Sequence, residues 1–380
     1  MRVPRLISGL VAISAASLIL AACGGGETTT EEPADTGTDT EDTDDGDAPD
    51  DGDAADDGDA ADDGEALQVG LVYDIGGRGD QSFNDAAAAG LDQAAEEFNI
   101  DATELEPQEG GENRGELLRL VSSEGADLVF AVGFAFEETI GQAAPDFEDV
   151  NYGLVDGSIE GLDADSNVVA LGFAEHEGSF LVGAAAALKS ENGHVGYIGG
   201  VETPLIERFE AGFVAGAQAI DPDIQIDSTY ISQPPDFNGF ADPASGREIA
   251  LGMYGNGADV IYHAAGASGL GLFEAAKEHS DSSGEKVWAI GVDSDQYLTA
   301  DEDLQEYILT SMLKRVDTAV YETISAQVNG EFEGGYRVFD LAADGVGYAT
   351  SGGFIDDIVD QLEELKQQVI DGEIEVPDTP

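Results

Sequence analysis

The sequence predicts an α/β fold of two similar lobes, each built on a parallel sheet. Three observations carry that reading. Short runs that are apolar throughout, such as Leu128-Val129-Phe130-Ala131-Val132 and Val287-Trp288-Ala289-Ile290-Gly291-Val292, alternate with segments of helical spacing. Strands of that kind are buried on both faces, as in parallel sheets covered by helices. Several runs end in a small or polar residue, at Tyr73-Asp74, Val132-Gly133, Val155-Asp156 and Leu171-Gly172, and that carboxyl end is where open parallel sheets hold ligands. Finally, GADLVFAVGF from Gly125 returns as GADVIYHAAG from Gly257, an internal echo that suggests two lobes of one design.

Ahead of the lobes, residues 1–23 read MRVPRLISGLVAISAASLILAAC. Arg2 and Arg5, an apolar stretch from Leu6 to Leu20 and small residues before Cys23 predict an export signal. The stretch is short for a membrane span. Leu20-Ala21-Ala22-Cys23 resembles the lipobox of bacterial lipoproteins, which implies cleavage before Cys23 and lipidation of that residue. Cys23 is the one cysteine of the chain, so no internal disulfide is possible. Gly24 to Glu65 carries no aromatic and no basic residue. It cannot bury enough apolar surface to offset the entropy of ordering, and self-repulsion extends it into a tether. Its aspartates lack the fixed repeat of a calcium-binding array.

The body begins at Leu67. Val69 to Tyr73 reads as a strand, followed by a glycine-rich polar loop and a helix over Ala86 to Glu97. Leu105 lies in a second extended piece. Helical spacing returns over Asn113 to Ser123, with Leu117, Leu118 and Val121 on one face, and strands follow at Leu128 to Val132, Val150 to Val155 and Val168 to Leu171. Glu137 and Glu138 sit in the first turn of a short helix, where acids favour the dipole without any further role. The second half repeats the plan. Helices are expected over Glu177 to Leu188, Ile206 to Ile220, Pro243 to Tyr254, Gly271 to Glu278, Asp317 to Val328 and Ile355 to Ile370. Strands are expected at His194 to Ile198, Ile224 to Ser232, Val260 to Ala265 and Val287 to Val292, and Ile308 to Ser311 precedes Met312-Leu313-Lys314 ahead of the helix from Asp317. Tyr336 to Phe339 and Val346 to Tyr348 read as two hairpin-like pieces.

The formal net charge is -66, from 14 Lys+Arg against 80 Asp+Glu. Such a surface repels nucleic acid and anionic lipid headgroups. The tether explains part of this total, and acids remain abundant on the later helices. The charge suits a chain working at high salt, where screening removes self-repulsion. A melting temperature that is low in dilute buffer and climbs steeply with NaCl is the expected result; salt-independent melting would refute a saline adaptation.

The body resembles the basic membrane protein family of ABC-transporter substrate-binding lipoproteins. The resemblance rests on VYDIGGRGDQSFNDAAAAG from Val72, GLVDG at Gly153 to Gly157, FADPASGREIA from Phe240, GADVIYHAAGASGLG, GVDSDQ from Gly291 and TSMLKRVD from Thr310. It implies the type I periplasmic-binding-protein fold and a nucleoside gripped between lobes, with no cofactor. It further implies that Phe83 and Phe240 stack on the base and that Asn84 bonds its edge. Asp293 and Lys314 would address the ribose hydroxyls, with Asp74, Asp156 and the backbone at Gly266 completing the pocket. Lys314 would be poised against Asp293 or Asp74. The loop departs from the plainer one of the family: Ile75 stands beside Asp74, and Arg78 is expected close to the ligand entrance. The implied partners are a purine or pyrimidine nucleoside and a membrane ABC permease, for a monomer anchored at Cys23 on the extracytoplasmic face.

The expected division is a signal over 1–22, the lipidated cysteine and tether over 23–66, one lobe over 67–172 plus 292–322, and the other over 173–291 plus 323–375. Two other functions compete. A ligand sensor for a membrane partner would share the fold. A nucleoside hydrolase or phosphorylase would use Asp74, Asp156 and Asp293 as metal ligands or base. The sequence holds no HExxH or GxSxG motif, and His176, His194, His263 and His279 lack metal-ligand spacing. His263 reads as packed in a strand and His279 as a surface residue.

Overall fold

The computed structural model describes residues 65–108 and 110–380. The expected leader, Cys23 and nearly all of the tether lie outside the described residues. In the first half the chain forms β1 (Leu67–Val72), α1 (Phe83–Glu97), β2 (Ile100–Leu105), α2 (Arg114–Ser123), β3 (Leu128–Val132), α3 (Glu137–Ala143), β4 (Asn151–Val155) and β5 (Val168–Phe173). It continues through α4 (Glu175–Lys189), β6 (His194–Val201), α5 (Pro204–Ile220), β7 (Gln225–Ser232), α6 (Pro243–Gly255), β8 (Val260–Ala264), α7 (Leu270–Ser283) and β9 (Trp288–Asp293). Last come α8 (Gln296–Thr299), α9 (Glu302–Gln305), β10 (Ile308–Lys314), α10 (Val316–Val328), β11 (Gly335–Phe339), β12 (Val346–Tyr348) and α11 (Val359–Ile370).

Two six-stranded sheets result, ordered β11-β5-β4-β3-β1-β2 and β12-β10-β9-β8-β6-β7. The echo in the sequence is an echo in space: β3 and β8, which carry the repeated segment, hold the same place in each order. Every strand pair is parallel except β10 with β12. Strands β3, β5, β6 and β8 are buried along their whole length, as apolar runs covered on both faces require.

Two expectations are corrected by the pairing. The pieces at 336–339 and 346–348 are not a hairpin: β11 adds to β5 in the first sheet, and β12 runs antiparallel to β10 in the second. The lobe boundaries move with them. Residues 308–314, within the span assigned to the first lobe, form β10 of the second sheet beside β9, while 335–339, assigned to the second lobe, closes the first sheet. Helix α10 packs on α1, so the chain passes between lobes after β5, after β10 and again between β11 and β12. Short extended runs separated by a turn look local in sequence, but their partners are strands contributed much earlier.

Helix α1 starts three residues before its expected first residue, Ala86, for a local reason. The Asp80 carboxylate accepts from the backbone N–H groups of Ser82, Asn84 and Asp85 at 2.9, 2.9 and 3.1 Å, satisfying donors that a helix start leaves open. Helices α4 and α5 cross at glycines. A Cβ on Gly183 would lie 2.1 Å from the Phe213 carbonyl oxygen, and one on Gly216 1.9 Å from that of Phe180. Gly216→Ala is therefore expected to destabilise the fold by about 1–3 kcal/mol, read as a lower urea midpoint. An unchanged midpoint would show that the helices separate freely.

Candidate functional site

The carboxyl ends of the two sheets face one another across a cleft. From the first lobe, β1 delivers Asp74, β3 Gly133 and Phe134, and β4 Asp156; from the second, β8 delivers Ala265 and Gly266, β9 ends on Asp293 and β10 on Lys314. The loop after β1 adds Ile75 and Asp80, and the first turn of α1 adds Phe83 and Asn84. Phe209 of α5 and Phe240, in a short turn before α6, complete the walls. All eight residues singled out from the sequence thus line one cavity. Its internal volume is about 60 Å³, well below the roughly 300–1,000 Å³ of small-molecule pockets, so a solute of that size needs the lobes to part.

Asp156 and Asp293 end strands that hold the same place in the two sheets, and both have φ of +64°. A non-glycine residue held there is strained by about 1–2 kcal/mol, and strain of this kind collects at functional sites. The left-handed turn aims both carboxylates into the cleft.

Lys314 sits at the centre, 2% exposed. It forms an ion pair with Asp156 across the lobes and lies 3.7 Å from Glu175. Its Nζ is also 5.0, 5.1 and 5.4 Å from the ring centres of Phe83, Phe173 and Phe209, close enough for cation–π attraction. Burial opposes the charge on Lys314, but Asp156, Glu175 and Asp293 outweigh it and hold the ammonium above its usual range. The expected pairing of Lys314 with Asp293 or Asp74 is corrected: its partner is Asp156. Asp293 instead accepts from the Ser82 hydroxyl at 2.6 Å, and Asp74 from Arg114 Nη2, also at 2.6 Å.

One ammonium cannot neutralise three buried carboxylates. Burial, partly offset by Lys314, pushes Glu175 up to about 7 and Asp293 up to about 6. Both folded values exceed those of the free carboxyls. The two groups therefore favour the fold at low pH and cost it stability as the pH rises through these values.

Asn84 lines the cavity, yet its amide is already engaged. Its Oδ1 accepts from the Asp74 N–H at 3.0 Å, and its Nδ2 donates to Asp80 at 3.1 Å and to the Ile75 carbonyl at 3.4 Å. This side chain sets the shape of the loop. Gly133 allows that loop to close: at φ +110°, it stands where a Cβ would come within 2.4 Å of Asp74 Oδ2. Ile75 lines the cavity, but Arg78, expected close to the entrance, does not. Its guanidinium pairs with Asp92 and with Glu104, the latter at 2.8 Å, on the flank of the first lobe.

The lobes also touch through Gln296, whose Nε2 donates to the Gln81 carbonyl at 3.0 Å while its Oε1 accepts from the Val292 N–H at 2.9 Å. That oxygen lies 3.0 Å from Nε2 of His263, so the imidazole proton belongs on Nε2. Burial, only partly opposed by this bond, pushes His263 down to about 4. The unfolded chain protonates first as the pH falls below the ordinary histidine value, and the fold loses stability from there down to about pH 4. In an NMR titration the His263 ring is expected to remain neutral at pH 5; a midpoint near 6.5 would show that water reaches it. His279, expected at the surface, is half-buried with its ring centre 5.6 Å from that of Tyr254.

Sequence reasoning missed Arg114, Phe209 and Glu175. Phe209 stands on a helix face that only packing turns to the cleft, and Arg114 acts on the site through Asp74. Glu175 carried a usable signal, an acid two residues beyond a strand end, as Asp156 ends β4. Among the described residues no group of His, Cys, Asp and Glu side chains is arranged to hold a metal ion. Asp74, Asp156 and Asp293 each serve a separate partner.

Comparison with known proteins gives a consistent result. Residues 67–380 match the family described as ABC transporter substrate-binding protein PnrA-like. The CD4+ T-cell-stimulating antigen of Listeria monocytogenes is 36% identical over 325 residues, covering 82% of this chain and 88% of the relative. The ABC transporter nucleoside-binding protein BmpA of Lactococcus lactis subsp. cremoris is 34% identical over 323 residues, covering 81% and 88%. A crystal structure of an ABC transporter solute-binding protein from Aeropyrum pernix K1 superposes with a TM-score of 0.71 at 31% identity, over 82% of this chain and 94% of that one. An importer component of this kind works outside the membrane it is anchored to, and hands a bound solute to its permease rather than transforming it. With its paired sheets and facing strand ends, the chain belongs to the PnrA-like family of ABC transporter substrate-binding proteins.

Proposed function

We propose that the solute is a nucleoside, with a purine preferred, held between the lobes by its base and its sugar. The observation that carries this reading is the placement of Phe83 from one lobe and Phe240 from the other on the walls of one cavity, which Asp293 and Lys314 also line. Two rings offer broad affinity for a flat base. A carboxylate and an ammonium suit a pair of sugar hydroxyls, since one accepts and the other donates. Asn84 supports the base site by fixing the loop behind Phe83, and Asp74, anchored by Arg114, closes the same wall. Gly266, at φ +53° beneath Phe240, leaves its backbone open to the ligand. Lys314 with Asp156 ties the lobes together once they close, and a lipid on Cys23 with the acidic tether would let this clamp reach the permease.

Calorimetry of the purified chain with purine and pyrimidine nucleosides, combined with a product assay, tests the reading. Binding at micromolar or tighter Kd without turnover supports it, and stronger heats for purines support the preference. Release of free base, or no binding by any nucleoside, would overturn it.

A further inference from the structure

A second chamber opens behind the Lys314–Asp156 pair. It shares Phe134, Asp156 and Leu205 with the cavity described above. Its empty volume, counting the mouth, is about 830 Å³. Glu175, 1% exposed, stands on its wall. Both Glu175 oxygens and Oδ1 of Asp156 are buried without a hydrogen-bond partner. The nearest basic group, Arg208 Nη1, lies 3.6 Å from Glu175 Oε2, beyond hydrogen-bonding distance. Glu137 adds a further carboxylate, accepting from the Ser158 N–H at 2.8 Å.

We propose that this chamber is a subsite for a hydrogen-bond-donating arm of the solute, a hydroxyl or an ammonium group, read by Glu175 together with Oδ1 of Asp156. Buried acceptors left unmade are costly, and a ligand donor removes that cost. The donor class follows from the charges. Asp156, Glu175 and Glu137 face the chamber, and the two cations beside them, Lys314 at 3.7 Å and Arg208 at 3.6 Å from Glu175, leave the carboxylates in excess. An ammonium is attracted there, a hydroxyl is accepted, and a phosphate is repelled. The raised carboxyl of Glu175 agrees with an acid buried beyond the countercharge available to it.

This inference rests on the nucleoside reading for one point only, the identity of the arm. With Asp293 and Lys314 on the ring hydroxyls, the 5′ arm of the sugar is the one left to pass Asp156. The test is calorimetry of the full chain with adenosine, 5′-amino-5′-deoxyadenosine and adenosine 5′-monophosphate, on the natural protein and on Glu175→Gln. The amine is expected to bind about tenfold tighter than adenosine and the phosphate at least about tenfold weaker, a step of about 1.4 kcal/mol for each tenfold. In Glu175→Gln the advantage of the amine collapses, whatever happens to adenosine itself. Equal affinity for all three ligands in the natural protein, or an undiminished preference in Glu175→Gln, overturns the subsite. Thermal melting with millimolar ethanolamine separates the two readings. If no nucleoside binds but ethanolamine raises the melting temperature of the natural protein and not of Glu175→Gln, the chamber stands and the nucleoside reading falls. If neither binds, both fall.

Discussion

Replacing Lys314 by methionine is expected to cost the fold about 3–5 kcal/mol at neutral pH, the usual penalty for removing one member of a buried ion pair. Methionine keeps most of the volume, so the loss is electrostatic. It leaves Asp156 and Glu175 buried together with no ammonium near them. The sign of the pH dependence identifies the cause. Burial already raises both carboxyls, and Lys314 is the main influence drawing them down. Without it they rise further, so the deficit of Lys314→Met should shrink as the pH falls and both groups protonate. Urea unfolding at pH 5 and pH 8 measures this directly. A deficit of the same size at both pH values would mean that Lys314 acts by packing alone. Adding Asp156→Asn to Lys314→Met should recover part of the loss, because one uncompensated charge is gone. Solute binding should be lost in both variants, since the ammonium also joins the two lobes.

Phe83→Ala and Phe240→Ala should each weaken binding of the proposed nucleoside by about 1–3 kcal/mol, the range measured for stacking between a base and an aromatic ring. In Kd that is about fivefold to more than a hundredfold. Both rings are half-buried and also pack on the core, so the melting temperature has to be followed alongside. Leucine at either position keeps apolar contact but removes the flat face, and separates stacking from simple burial. Unchanged affinity in both alanine variants would remove the stacking model. A loss confined to Phe83 would move the base toward Phe134 and Phe209, the other rings on the cavity wall.

Much of this molecule was legible in its residues. Apolar runs gave the strands β3, β4, β8 and β9 nearly to the residue, because a strand buried on both faces has no choice but to be apolar throughout. The ends of β1, β4 and β9 gave Asp74, Asp156 and Asp293, since a parallel sheet exposes its ligand-bearing residues just beyond its carboxyl edge. Less legible were the helix starts. Helix α1 begins at Phe83 because Asp80 caps it, and that carboxylate reads in sequence as one more acid in a polar loop. Asn84 looked free to meet a ligand, but hydrogen bonds to three neighbouring groups occupy its amide.

The sequence by itself determined two α/β lobes, their repeated plan and the loop ends that line the cleft, because these follow from local periodicity and from chemistry confined to a few neighbouring residues. Only the tertiary structure decided which sheet receives β11 and which β12, that Lys314 answers Asp156 rather than Asp293, and that Glu175 opens a second chamber behind the pair. Those outcomes join residues as far apart as Asp156 and Lys314. Their pairing depends on how the lobes close and how deeply each charge is buried, and neither quantity is written in any stretch of sequence shorter than the whole fold.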